Sequence, residues 1–91
     1  MSDDAPVRHV PERSRFEVEQ DGAVAVLTYE LEDDAVVFLH TVVPVELEGR
    51  GVGGRLAAEG VAWATGQGKG VVAVCTFVKG WLERHPEALR S

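Results

Sequence analysis

Cysteine is nearly absent from this chain: Cys75 stands alone, so no disulfide can form within it. Long apolar runs are missing too, and nothing approaches the roughly 20 residues that a membrane-spanning helix requires. Lysine occurs only as Lys69 and Lys79, and the formal net charge is −6. A chain of that sign is a poor nonspecific partner for nucleic acid, whose binding rests on neutralised phosphates. His9, His40 and His85 are scattered and, with one cysteine, give no metal-ligand spacing. The opening Met-Ser-Asp-Asp-Ala-Pro lacks the basic and apolar regions of a signal peptide. The expectation is a cytoplasmic protein with no metal, nucleic acid or membrane among its partners.

What is present reads as one soluble domain. The 91 residues, 45% hydrophobic and 26% charged, suffice for a single modest core. Charge is unevenly divided. Residues 1–48 carry 12 acids against Arg8, Arg13 and Arg15, whereas residues 49–91 carry three acids against six bases. The basic half suits an anionic ligand, with Arg50, Arg55 and Lys69 as candidate phosphate partners, and the acidic half suits a cationic amine. A solvated acidic surface that keeps the protein soluble explains the asymmetry equally well.

Residues 1–13, with Pro6 and Pro11, read as a flexible arm, and 14–91 as the domain. Phe16 and Val18 alternate with polar residues in a strand from Arg15 to Gln20. Asp21-Gly22 is a hairpin signal, and a second strand follows from Ala23 to Glu32. After Asp33-Asp34, a third strand from Ala35 to Val43 is apolar on both faces through Val36-Val37-Phe38-Leu39, and Pro44 closes it. Helical spacing of Val52, Leu56 and Trp63, beside Ala57, Val61 and Ala64, runs from Gly51 to Thr65. Gly60 inside that helix is tolerable where the helix packs closely on the sheet. Glycines at 66, 68 and 70 release the chain into Val71–Thr76, a buried parallel strand reached by a right-handed crossover. A short helix from Val78 to Arg84 stops before Pro86. The class is mixed α/β (α+β): a three-stranded antiparallel meander, a βαβ crossover and a terminal helix. The outer edge of the first hairpin is open to pairing between chains, so a monomer or weak homodimer is expected.

Gly49-Arg50-Gly51-Val52-Gly53-Gly54, between a strand and a helix, is an anion cradle. Glycines admit close backbone approach, and the amides of the first helical turn point at the ligand. A P-loop needs lysine and a hydroxyl after Gly54, where Arg55 and Leu56 stand. The dinucleotide fingerprint beginning at Gly51 needs Gly or Ala at the position of Leu56. An ordinary strand-to-helix connection is the alternative to any ligand. The pattern Gln/Arg-x-x-Gly-x-Gly/Ala fits Glu48–Gly53 at Gly51 and Gly53 and departs at Glu48.

That pattern is the coenzyme A pyrophosphate loop of GNAT-type N-acetyltransferases, and three motifs together resemble a compact subfamily of them. They are Leu39-His40-Thr41-Val42-Val43-Pro44, the glycine loop, and Cys75-Thr76-Phe77-Val78 with Trp81-Leu82 and Arg84-His85-Pro86. The resemblance is strong over about half the chain. It implies a minimal GNAT-like fold that transfers an acetyl group from acetyl-coenzyme A to an amine, either a small molecule or a protein lysine or N-terminus. A non-catalytic coenzyme A-binding module or partner subunit is the alternative. By the resemblance, Val42 and Val43 offer backbone groups to pantetheine, and Glu48, Gly49, Arg50, Gly51, Val52, Gly53, Gly54 and Arg55 form the pyrophosphate site.

Acetyl transfer needs a positioned thioester, donors for its carbonyl oxygen and a base for the amine. His40, expected on one strand face with Phe38 and Val42, is a candidate base, since imidazole titrates near neutrality. The alternative is a partly buried histidine bonded to a neighbour. Cys75, at the carboxyl end of the last strand, is a candidate nucleophile, or a site-lining thiol that donates or receives a proton, against the reading of a small packed hydrophobe. Trp81 stands where larger relatives place a tyrosine acid, and it cannot supply a proton to the leaving thiolate. His9, His85 and Trp63 carry no expected role beyond capping or packing.

Overall fold

The period-two alternation in the first half of the chain becomes an antiparallel sheet. The structure is a computed structural model and describes residues 5–90. Strands β1 (Arg8–Val10), β2 (Arg15–Gln20), β3 (Ala23–Leu31) and β4 (Ala35–Val42) run antiparallel in that order, and β5 (Gly70–Ala73) joins β4 in parallel. Helix α1 (Val52–Gly66) forms the crossover, and α2 (Thr76–Arg84) follows β5. Phe16, Val18, Leu27, Tyr29, Val36 and Phe38 project from the sheet into one core with Leu56 and Val61 of α1 and Val78 and Trp81 of α2. This is a small GNAT-like α+β architecture.

β1 is a correction to the sequence reading. The expected arm of residues 1–13 contains a strand, so the antiparallel portion has four strands and the edge of the first hairpin is occupied. Residues 1–4 of that arm lie outside the described residues. Three residues between Pro6 and Pro11 show no readable alternation, but pairing with β2 places His9 opposite Phe16 and Arg8 opposite Glu17. The His9 and Phe16 rings stack with centroids 4.2 Å apart, and Trp63 meets His9 edge-on at 4.5 Å. His9 Nε2 lies 2.6 Å from the Tyr29 hydroxyl. Glu17, 7% exposed, is held by Arg15 at 2.6 Å and Arg8 at 3.2 Å.

This clasp has a pH signature. Desolvation lowers the pKa of His9, although Glu12 opposes the shift. Below about pH 6.5 the unfolded chain therefore binds more protons at this residue than the folded one. The His9 contribution is present above that pH and is lost as pH falls. Thermal melts from pH 8 toward about pH 5 should lose part of their acid sensitivity in His9→Gln. An unchanged difference between the two pH values would contradict the assignment.

The register of β3 and β4 shifts once. Thr28 faces His40 and Tyr29 faces Phe38, which leaves Leu39 as an extra residue on β4. A bulge of this kind reverses the alternation beyond it. Phe38 and Thr41 therefore share the helix side, Thr41 opposite core residue Leu27, while His40 and Val42 lie on the other side. The expected common face of His40, Val42 and Phe38 is thus split by one inserted residue. Other boundaries move slightly: β4 ends at Val42, β5 at Ala73, and α2 begins at Thr76.

Candidate functional site

β4 and β5 pair only as far as Phe38 and Ala73. The amides of Val74 and Cys75 both donate to the Phe38 carbonyl, at 3.0 and 3.1 Å, and there the strands part. Pro44 and a 3-10 turn at Val45–Leu47 carry the chain from β4 to α1, with Leu47 fully buried beneath. Gly49 and Gly51 hold φ of +79° and +74°, which glycine adopts without the strain a side chain would bring. Gly51 is the N-cap of α1 and gives it no side-chain cap. The first helical bond runs from Arg55 N–H to Gly51 O at 3.1 Å, so the amides of Val52, Gly53 and Gly54 precede the intrahelical ladder. No acid occupies the first turn to neutralise that end.

The end of β4, the loop after it, the start of α1 and Phe77 of α2 enclose a cleft of about 540 Å³. Val42, Val43, Glu48, Gly49, Gly51, Val52, Gly53 and Gly54, all expected at a coenzyme site, line it. Thr41, Leu47 and Phe77 complete the wall and were not expected there. Phe77 crosses so near the helix that a Cβ at Gly53 would lie 2.8 Å from its ring. An aromatic directly after Cys75-Thr76 was the only sequence signal for it.

The expected cations are placed elsewhere. Arg50 pairs with Asp21 at 2.5 Å in the β2–β3 turn, and Arg55 donates to the Ala5 carbonyl. Lys69 donates to the carbonyls of Glu32 and Asp33 at the far end of α1. What the loop itself presents to the cleft is therefore backbone amides and the positive end of the helix dipole. A groove of similar volume, about 580 Å³, lies by β1 and β2, but two of its guanidiniums are bound to Glu17. It has no strand-to-helix cradle, so the glycine-lined cleft is the site that suits an elongated anionic ligand.

His40 and Cys75 line a second groove of about 390 Å³ that meets the first at Thr41 and Val42. His40 is exposed, whereas the Cys75 sulfur lies 3.2 Å from Thr41 Oγ1 and the residue is 8% exposed. Cys75 is the N-cap of α2, without a cap hydrogen bond of ordinary geometry. Burial pushes its thiol pKa up, but the Thr41 hydroxyl and the amides of Val78, Phe77 and Thr41 together outweigh burial, and the thiol ends below its ordinary value. Trp81 is buried in the core, where a Cβ at Gly54 would lie 3.6 Å from its indole nitrogen. Among the described residues no cluster of His, Cys, Asp or Glu fits a metal ion, and no helix is long and apolar enough to cross a membrane.

The sheet parts beside a helix start that is capped by glycine. Residues 15–91 match the GCN5-related N-acetyl-transferase family, and the chain belongs to it. No curated protein matches the chain. Membership assigns the protein to an acetyltransferase class.

Proposed function

We propose that this protein moves an acetyl group from acetyl-coenzyme A to an amine. The observation that carries the reading is the run of unpaired amides at the start of α1, facing a cleft that adjoins, at Thr41 and Val42, the groove where β4 leaves β5. Those amides and the dipole suit a diphosphate. The backbone of Val42 and Val43, beyond the part of β4 that pairs with β5, suits the pantetheine amides. The carbonyl then lies toward Thr41 and Cys75, with His40 in the adjoining groove as base for the incoming amine. The acceptor is a small amine or a protein lysine or N-terminus, the protein is a monomer or weak homodimer, and its place is the cytoplasm.

Direct attack by the amine is preferred to an acyl-cysteine. Cys75→Ala should keep measurable transfer, and no acetyl adduct should accumulate on wild-type protein by mass spectrometry. Complete loss together with such an adduct would reverse that order. A coenzyme-binding module without turnover is the second reading, favoured by the exposure of His40 and of Val42, which is 56% exposed. Calorimetry with acetyl-coenzyme A, followed by thiol release with a panel of amines and lysine peptides, tests both. Binding with release supports transfer, binding without release supports the module, and no binding removes both.

A further inference from the structure

Thr41 occupies the junction of the two grooves, and the bulge at Leu39 is what turns it inward. In an unbroken strand His40 would hold the helix side and Thr41 would face away. As built, the Thr41 hydroxyl lies 3.2 Å from the Cys75 sulfur, at the point where β4 has left β5. Among the described residues, Cys75 is the titratable side chain that lies against Thr41 at this junction. The chain's one tyrosine, Tyr29, is bound to His9, and Trp81 carries only an indole N–H.

We propose that Thr41 is a positioning residue that holds the Cys75 thiol where the two grooves meet, as proton donor to the leaving coenzyme sulfur. The proposal rests on the transfer reaction above. In the step, the amine nitrogen forms the C–N bond, the C–S bond breaks, and its electron pair goes to the coenzyme sulfur. That sulfur takes the proton of Cys75 Sγ. The cysteine thiolate, facing the Thr41 hydroxyl, is reprotonated by the proton that the acylated nitrogen has given to His40. No further reactant is required. His40 lines the adjoining groove and Lys79 lies one turn along α2, but burial and hydrogen bonding, not a neighbouring charge, govern the sulfur.

Thr41→Val removes the hydroxyl at nearly constant shape, and Thr41→Ser restores it. Iodoacetamide alkylation of Cys75 against pH reads thiolate without any coenzyme present. Thr41→Val should alkylate on the order of tenfold more slowly near neutral pH, with the profile displaced to higher pH. Thr41→Ser should follow the wild type. In acetyl transfer, Thr41→Val should lower kcat with little change in KM for acetyl-coenzyme A, again rescued by serine. Thr41→Ala repeats both measurements if valine disturbs packing, as judged by thermal melting. An alkylation profile unchanged in the valine and alanine variants overturns the proposal, and so does an unchanged kcat. Wild-type protein that transfers to no amine overturns the function proposed above instead.

Discussion

A Gly53→Val variant is expected to fold and to lose acetyl-coenzyme A affinity by about 100-fold, roughly 2.7 kcal/mol. Gly53 is buried in the first turn of α1 and lines the cleft. A Cβ there meets Phe77 Cζ at 2.8 Å. Phe77 is 39% exposed and can swing away, so the fold should absorb the change, helped by a few tenths of a kcal/mol from replacing glycine in a helix. The cleft should not absorb it. The displaced ring and the branched side chain both enter the space where a ligand must approach the amides. Calorimetry beside a thermal melt separates the two effects. A folded variant that binds within about threefold of wild type would mean that the ligand does not sit against this turn.

Gly60→Val should do the reverse and strike stability first. A Cβ at Gly60 lies 2.9 Å from Phe38 and 3.1 Å from Leu27, both completely buried. Neither neighbour has a solvent-facing route of retreat, so overpacking should cost about 2–3 kcal/mol or more. The gain from helix propensity offsets only a few tenths. For a domain of this size the melting temperature should fall by roughly 10–20 °C. Gly60→Ala should fall less, since it adds one methyl and recovers about 1 kcal/mol of helix propensity. Equal melting temperatures for wild type and valine variant would show that α1 does not press on β3 and β4 here.

The two glycines differ in how far each was legible. Gly60 interrupts a helical stripe, which is tolerable where the helix packs closely on the sheet, and Phe38 and Leu27 do press on it there. Gly53 announced a ligand loop, but nothing in the chain said that an aromatic from α2 would lie across it. Leu47 was missed because Glu46 and Glu48 flank it, and an isolated apolar residue between acids shows no period. Its burial comes from the 3-10 turn after Pro44, a local geometry with little sequence signature. Arg50 and Arg55 were expected at the phosphate site from their position in the loop. Backbone direction sends them instead to Asp21 and Ala5. Sequence proximity to a cradle does not decide where a side chain five or six bonds long ends.

The order of elements from β2 onward, the strand-glycine-helix connection and the family were written in the chain itself, because they rest on periodicity and on residue types that few other conformations accept. Which side chains meet was decided only in three dimensions. One inserted residue at Leu39 exchanged the faces of His40 and Thr41 and brought a hydroxyl to Cys75, and three residues near the start became a strand only because β2 had an edge to fill. Register and edge pairing are set by partners far away along the chain, so local pattern carries no record of them.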